Sequence, residues 1–147
     1  MENIIVKKFN ELTNREVYEI LSARCAVFVV EQECPYQDPD GKDLESYHLY
    51  ISDENGKVQA YLRICPKGVA REDVVIGRVI TVSRGTGLGG KLVKFAIQYA
   101  KEELKCNRIV IGAQVQAKGF YEKCGFISLE EYYMEDGIPH VMMHINL

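Results

Sequence analysis

Apolar and polar positions along this chain recur in two periods, and the switches between them mark its elements. Residues 4–9 read as a first strand. Thr13 followed three places later by Glu16 forms a capping box, which satisfies two orphan backbone donors and opens a helix near Asn14. Val17, Ile20, Leu21, Cys25 and Phe28 recur at three- and four-residue spacing, so one face of that helix is built for a core. The helix is expected to run to about Phe28 or Val30. Residues 31–45 hold two prolines, a glycine and many acidic groups, and form the longest irregular stretch and a candidate binding loop.

Beyond Tyr47 the period changes to two. Residues 47–52 and 57–65 read as strands joined by Asp53-Glu54-Asn55-Gly56, where Asn-Gly suits a tight hairpin. Residues 74–82 are β-branched and apolar on both faces, as in a central strand, interrupted only by Gly77-Arg78. Leu92, Phe95, Ala96, Tyr99 and Leu104 mark one side of an amphipathic helix over residues 89–104. A strand at 108–113, a short helix at 117–123 ended by Gly125, and strands at 127–134 and 140–147 around Glu135-Asp136-Gly137 complete the chain. The order β-α-β-β-β-α-β-α-β-β predicts an α/β fold: a mixed, mostly antiparallel sheet flanked by helices, in one domain over residues 1–147.

Composition narrows the function. With 18 basic against 21 acidic residues the net charge is -3, which lacks the basic field that nucleic-acid binding requires. No run of eighteen apolar residues is present, so no membrane span is expected. The first eight residues do not read as a signal peptide, and five cysteines (Cys25, Cys34, Cys65, Cys106, Cys124) without a C-x-x-C pair suit reduced thiols, so a cytoplasmic location is expected. Those cysteines read most simply as small buried side chains. Asp38, Asp40 and Asp43 around Gly41 lack the loop length and closing glutamate of a calcium site; no metal is expected, and the segment reads as a solvated acidic loop able to attract a cationic amine.

The most informative segment is Arg84-Gly85-Thr86-Gly87-Leu88-Gly89-Gly90-Lys91, because a strand delivers it and a helix leaves it. Its backbone N–H groups converge at the helix's positive end, a ready anion site. Glycines suit such a loop because phosphate oxygens approach the main chain closely and positive φ angles are used. A P-loop is disfavoured because Leu92 stands where Ser or Thr would bind magnesium. The dinucleotide fingerprint fails on its third glycine spacing.

Arg84, Gly87 and Gly89 fit R-x-x-G-x-G, and after the next strand Phe120-Tyr121-Glu122-Lys123-Cys124-Gly125-Phe126 fits F-Y-x-K-x-G-F. With these two motifs in order, the chain resembles the GNAT superfamily of N-acetyltransferases. The resemblance reaches the ElaA-like branch through residues 27–43 and 135–140 and so covers nearly the whole chain. Only five residues, 79–83, separate Gly77-Arg78 from Arg84-Gly85, about two fewer than that pattern leads one to expect, which predicts a tighter turn into the loop.

The resemblance implies that acetyl-CoA lies with its pyrophosphate on Arg84, Gly85, Thr86, Gly87, Leu88, Gly89, Gly90 and Lys91. Its pantetheine is then expected along the backbone of Ile80, Thr81 and Val82, by strand addition into a splayed sheet, with Gln114, Phe120 and Tyr121 as further cofactor-binding residues. Tyr121, at the family's tyrosine position, is the expected proton donor to the CoA sulfur; its alternative is a core aromatic.

For the base, His140 is a candidate because histidine as a residue type can take up a proton near neutrality, and it lies in a stretch that resembles the G-x-H-x-x-M region of glyphosate-acetyltransferase-like members; water is the alternative. His48 and Glu31 are weaker candidates, and His144 shares a strand face with His140. Arg24 and Arg78 are read either as anchors for a substrate carboxylate or as ion-pair partners of Glu31 or Asp38. The expected activity is acetyl transfer to a primary amine of a small molecule or peptide by direct attack. A covalent route through Cys124, a non-catalytic acyl-CoA-binding sensor and a homodimeric state are the readings left open beside it.

Overall fold

The computed structural model describes residues 3–147. Thr13 caps helix α1 (Asn14–Arg24), accepting the Glu16 N–H while the Glu16 carboxylate accepts the Thr13 N–H, worth roughly 1 kcal/mol. A wide π-helical stretch, Cys25–Glu31, continues it, so the helical segment ends close to the expected residue. Its buried face is rotated from the expected one. Ile20 and Arg24 are buried, whereas Cys25 is exposed and is not the core thiol anticipated.

Seven strands follow one sheet order, β1-β2-β3-β4-β5-β7-β6. They are β1 (Ile5–Lys8), β2 (Tyr47–Ser52), β3 (Val58–Cys65), β4 (Val74–Thr81), β5 (Arg108–Gln114), β6 (Ile127–Glu135) and β7 (Ile138–Asn146). Neighbours are antiparallel except β4 and β5, which are parallel and paired only at Val74 with Ile109 and Val75 with Val110. Helices α2 (Leu88–Glu102) and α3 (Lys118–Lys123) complete the expected mixed, mostly antiparallel sheet.

Alternation along β2 and β3 divides the core in two. Leu49, Ile51, Leu62 and Ile64 face α2, where Leu92, Val93, Ala96 and Ala100 meet them. Tyr50 and Tyr61 face the opposite side with Ile20, Val58 and Ile80. Full burial of Leu92 is worth roughly 1.5–3 kcal/mol. On α2 the small Ala100 takes the core stripe, while Phe95 is exposed and stacks on Tyr99 along the flank, contrary to the face read from the pattern.

What opens the sheet is a bulge. Tyr61 opposes Ile80 but Arg63 opposes Gly77, so β4 carries one residue more than β3 over that stretch. Arg78 absorbs it in the left-handed region, at φ 51, and a bulge bends its strand and sharpens the local twist. Past Val75, β4 diverges from β5, and residues 76–81 keep β3 on one side and no strand on the other. At the far edge, β6 and β7 turn through Asp136 and Gly137, both at positive φ, the geometry of a type I′ hairpin.

Candidate active site

The divergence of β4 from β5 produces a cleft of about 880 Å³, within the range of small-molecule sites. One end is made of backbone. Gly85 at φ 75 and Gly87 at φ 76 occupy left-handed conformations, and Gly87 begins α2. The Leu88 N–H is taken by the Thr86 hydroxyl at 3.3 Å, and the first α-helical bond runs from Lys91 N–H to the Gly87 carbonyl at 3.2 Å. The Gly89 and Gly90 amides between them have no carbonyl within the helix and lie on the cleft wall. Gly89 is also fixed by packing: a Cβ there would come within 3.1 Å of the Thr81 methyl.

Ile80, Thr81, Arg84, Gly85, Thr86 and Gly87 line the same wall, with Gln114, Phe120 and Tyr121 on the β5 and α3 side. Three residues expected with them stand apart. The Val82 side chain is 48% exposed, Leu88 packs against the main core, and Lys91 is on the exposed side of α2. The Arg84 guanidinium reaches across the mouth to the Glu31 carboxylate at 3.1 Å. A reciprocal pair of amide hydrogen bonds, Gln32 with Gln114 at 3.4 and 3.2 Å, also spans the opening.

Tyr121 is buried between Phe120 and Phe126, with edge-on ring contacts at 5.0 and 6.0 Å, and lines the cleft. Burial, and then Cys124, push its hydroxyl pKa above the ordinary 10, so it stays protonated through neutral pH. Cys124 does not line the cleft, and burial pushes its thiol up against the opposing pull of Lys94, the reverse of what a nucleophile needs.

His140 sits on β7 opposite Gln114 and is buried, stacked on Tyr133 at 5.4 Å. Its Nδ1–H donates to the Ile138 carbonyl at 2.7 Å, which leaves the lone pair on Nε2, 3.6 Å from a Glu135 carboxylate oxygen. Tyr133, absent from the sequence reading, depends on a glycine two strands away. A Cβ on Gly112 would lie 2.1 Å from the Tyr133 hydroxyl, so only glycine leaves room for it beside the cleft. His144 shares the His140 face of β7, but its Nδ1 is buried without a hydrogen-bond partner among the described residues.

The expected acidic loop is not solvated. Arg24, fully buried, donates to Asp38 and Asp43, both at 2.8 Å. Arg63 donates to Asp40 at 2.7 Å and Asp43 at 2.9 Å, and Arg78 to Asp38 at 2.9 Å. Burial alone would raise the Asp43 carboxyl; Arg24 and Arg63 outweigh it and hold it below the usual carboxylate range. His48 closes the network, donating from Nε2 to the Asp43 carbonyl at 2.8 Å and accepting the Tyr61 O–H at Nδ1, 2.7 Å away. Burial lowers its pKa despite the pull of Asp43, so it is neutral.

Arg24 and His48 are therefore not substrate groups: neither lines the cleft, and both are consumed by the network. Arg78 does line the cleft, but its charge is met by Asp38 and Asp40, and its guanidinium lies over the Tyr36 ring at 5.6 Å. Glu31 is held by Arg84 rather than placed on the wall.

A family model for the acetyltransferase (GNAT) domain matches residues 13–147. The chain belongs to the GNAT acetyltransferase family. It is 42% identical to the protein ElaA of Escherichia coli K12 over 137 residues, covering 91% of this chain and 90% of ElaA. The crystal structure of Escherichia coli ElaA matches with a TM-score of 0.89 at 38% identity over 99% of both chains. An acyl-CoA N-acyltransferase from Pseudomonas aeruginosa matches at 0.88 and 38% identity, over 97% of this chain and 99% of that one. The ElaA-like branch is thus the part of the GNAT family to which the sequence is similar. As a GNAT acetyltransferase the chain carries an acyltransferase architecture, and no helix among its described residues is long and apolar enough to cross a membrane.

Proposed function

We propose that this GNAT protein transfers the acetyl group of acetyl-CoA to a primary amine of a small molecule or peptide by direct attack. The observation that carries the reading is the joining, in one cleft, of an anion-binding helix start, an unpaired strand edge and two proton-handling side chains, Tyr121 and His140. The Gly89 and Gly90 amides and Arg84 would meet the pyrophosphate. Taking it there requires Arg84 to exchange the Glu31 carboxylate for phosphate oxygens. Unpaired main-chain groups along Ile80 and Thr81 would hold the pantetheine amides.

In the reaction the amine nitrogen attacks the thioester carbon, the C–S bond breaks, and the amine's surplus proton leaves to His140 Nε2 or to water. Tyr121 offers its proton as negative charge builds on sulfur. Being buried and raised above 10, it is protonated before each turnover and gives hydrogen-bond stabilisation only where charge develops. The five free cysteines support a reducing, cytoplasmic setting.

Release of the CoA thiol from acetyl-CoA, followed over a panel of amines, tests this. Amine-dependent release is expected, and Tyr121→Phe should lower turnover about 100-fold while acetyl-CoA binding is retained. Binding of acetyl-CoA without transfer to any amine would instead make the protein an acyl-CoA-binding module.

A further inference from the structure

β6 runs out of step with β7 where it passes His140. Ser128 opposes Met143 but Tyr132 opposes Val141, so four steps along β6 match two along β7, with Glu130 in the left-handed region at φ 58. The register before this bulge, carried on unbroken, would bring Glu131 opposite His140; the bulge brings Tyr133 there instead. Over residues 130–135 of β6, Tyr133 is the one residue that is not exposed. Its ring stacks on the imidazole, with centroids 5.4 Å apart and planes inclined at 27°, and its hydroxyl end reaches β5 in the space left by Gly112. The imidazole is thereby bounded by the Ile138 carbonyl at Nδ1, by Tyr133 on one ring face and by Gln114 across the sheet. Glu135, 3.6 Å from Nε2, is the charged group beside it, and Met142 separates it from His144 on the same face of β7.

We propose that Tyr133 is a positioning residue for the reaction: it wedges the His140 ring so that Nε2 meets the amine's surplus proton in the cleft, and Gly112 is glycine in order to admit the wedge. This rests on the reading of His140 as the base in acetyl transfer. The hydrogen bond at Nδ1 fixes which ring nitrogen is bare but leaves the ring free to swing about that bond; stacking on one face removes the swing. The proton itself passes from the amine nitrogen to His140 Nε2 and never through Tyr133. The wedge acts only on geometry, where a displacement of about 1 Å can cost on the order of 100-fold in rate.

Amine-dependent release of the CoA thiol, read as kcat and KM across pH, tests this together with nitrogen NMR of the His140 ring. Tyr133→Leu is expected to lower kcat about tenfold with acetyl-CoA affinity unchanged, to flatten the acid limb of the profile as His140→Ala does, and to turn the single Nδ1–H tautomer of His140 into a mixture. Tyr133→Phe keeps the stacked ring and should restore all three. Because the wedge acts through His140, adding Tyr133→Leu to His140→Ala should cost nothing further. Gly112→Ala should repeat the loss in kcat, and Gly112→Ala with Tyr133→Phe should regain it, which a methyl obstructing the cleft directly would not allow. Additive losses in the His140→Ala background, or kcat and His140 signals unmoved by Tyr133→Leu, overturn the proposal while leaving His140 as the base. Should His140→Ala itself leave kcat intact, water is the base and this inference falls although acetyl transfer stands. Binding of acetyl-CoA without transfer to any amine overturns acetyl transfer and this inference with it.

Discussion

The two ends of the cleft are built in opposite ways. At the glycine loop the working groups are main-chain amides, the positions between Ser83 and Lys91 are small or exposed apart from Leu88, which packs on the core, and Arg84 is held by a single exposed contact to Glu31. At the other end, side chains from residues 24, 38, 40, 43, 63 and 78 form a closed set of ion pairs, with His48 and Tyr61 beneath it. The first arrangement leaves donors open for a ligand. The second leaves almost none, and its effect is to pin the segment after the π-helical stretch onto the bulge at Arg78, where the sheet opens. Binding capacity and rigidity are thus assigned to different chemistry, with little overlap between the residues that supply each.

If that division holds, the two ends respond to substitution independently. The largest effect is expected from Arg24→Met, which removes the fully buried cation that Asp38 and Asp43 share and leaves Asp43 to Arg63 and Asp38 to Arg78. It should cost about 3–5 kcal/mol and lower Tm by roughly 10 °C or more, while acetyl-CoA affinity of the remaining folded protein changes little. Thermal unfolding and titration on the same sample measure both; an equal loss of affinity would merge the two regions into one.

Next in size is Gly112→Ala, expected to cost about 1–3 kcal/mol by displacing the Tyr133 hydroxyl from a position 2.1 Å from the new Cβ. Tyr133→Phe in the same chain removes the clashing oxygen and should recover much of the loss. A double-mutant cycle in denaturant reads the coupling, and simple additivity would refute the contact as its source.

The smallest stability change, about 1 kcal/mol, is expected from Gly87→Ala at φ 76, yet its effect on cofactor affinity should exceed that of Arg24→Met.

Acid should reach the buried network first. His48 has a folded pKa below its usual 6.5, so the unfolded state binds the proton more readily, and the stability this provides is lost as pH falls below about 6.5. Asp43 is depressed from 3.8, and its contribution is lost only as pH falls below about 4. Glu16 behaves likewise: burial would raise it, but Lys7, the Thr13 amide and Tyr50 outweigh burial and bring it to about 2 from 4.5. Denaturant midpoints from pH 8 to 3 should therefore descend in two stages, with the first absent in His48→Gln.

How much of this was legible in the sequence follows the same division. The loop was readable because its information is local: consecutive glycines between a strand and a helix state both the turn and the close approach. The strands and the Thr13 cap were readable for the same reason. The network was not, because its partners lie up to 40 positions apart, as Arg78 and Asp38 do, and meet only through strand register and a bulge. A signal existed in Arg63 and Arg78, two charges inside apolar strands that require partners, set against three aspartates in one short loop. Gly112 illustrates the remaining limit: in sequence it is a glycine in a strand, and its reason, the Tyr133 ring reaching over from β6, exists only once the strands are ordered.

Calorimetric titration of the purified protein with acetyl-CoA, CoA and ATP in parallel tests most directly whether the open backbone end is a coenzyme A cradle. Saturable binding of acetyl-CoA and CoA, with ATP much weaker, is the predicted result, since ATP offers phosphates to the loop but no pantetheine to the unpaired edge of β4. Binding of ATP alone, or of none of the three, would contradict it.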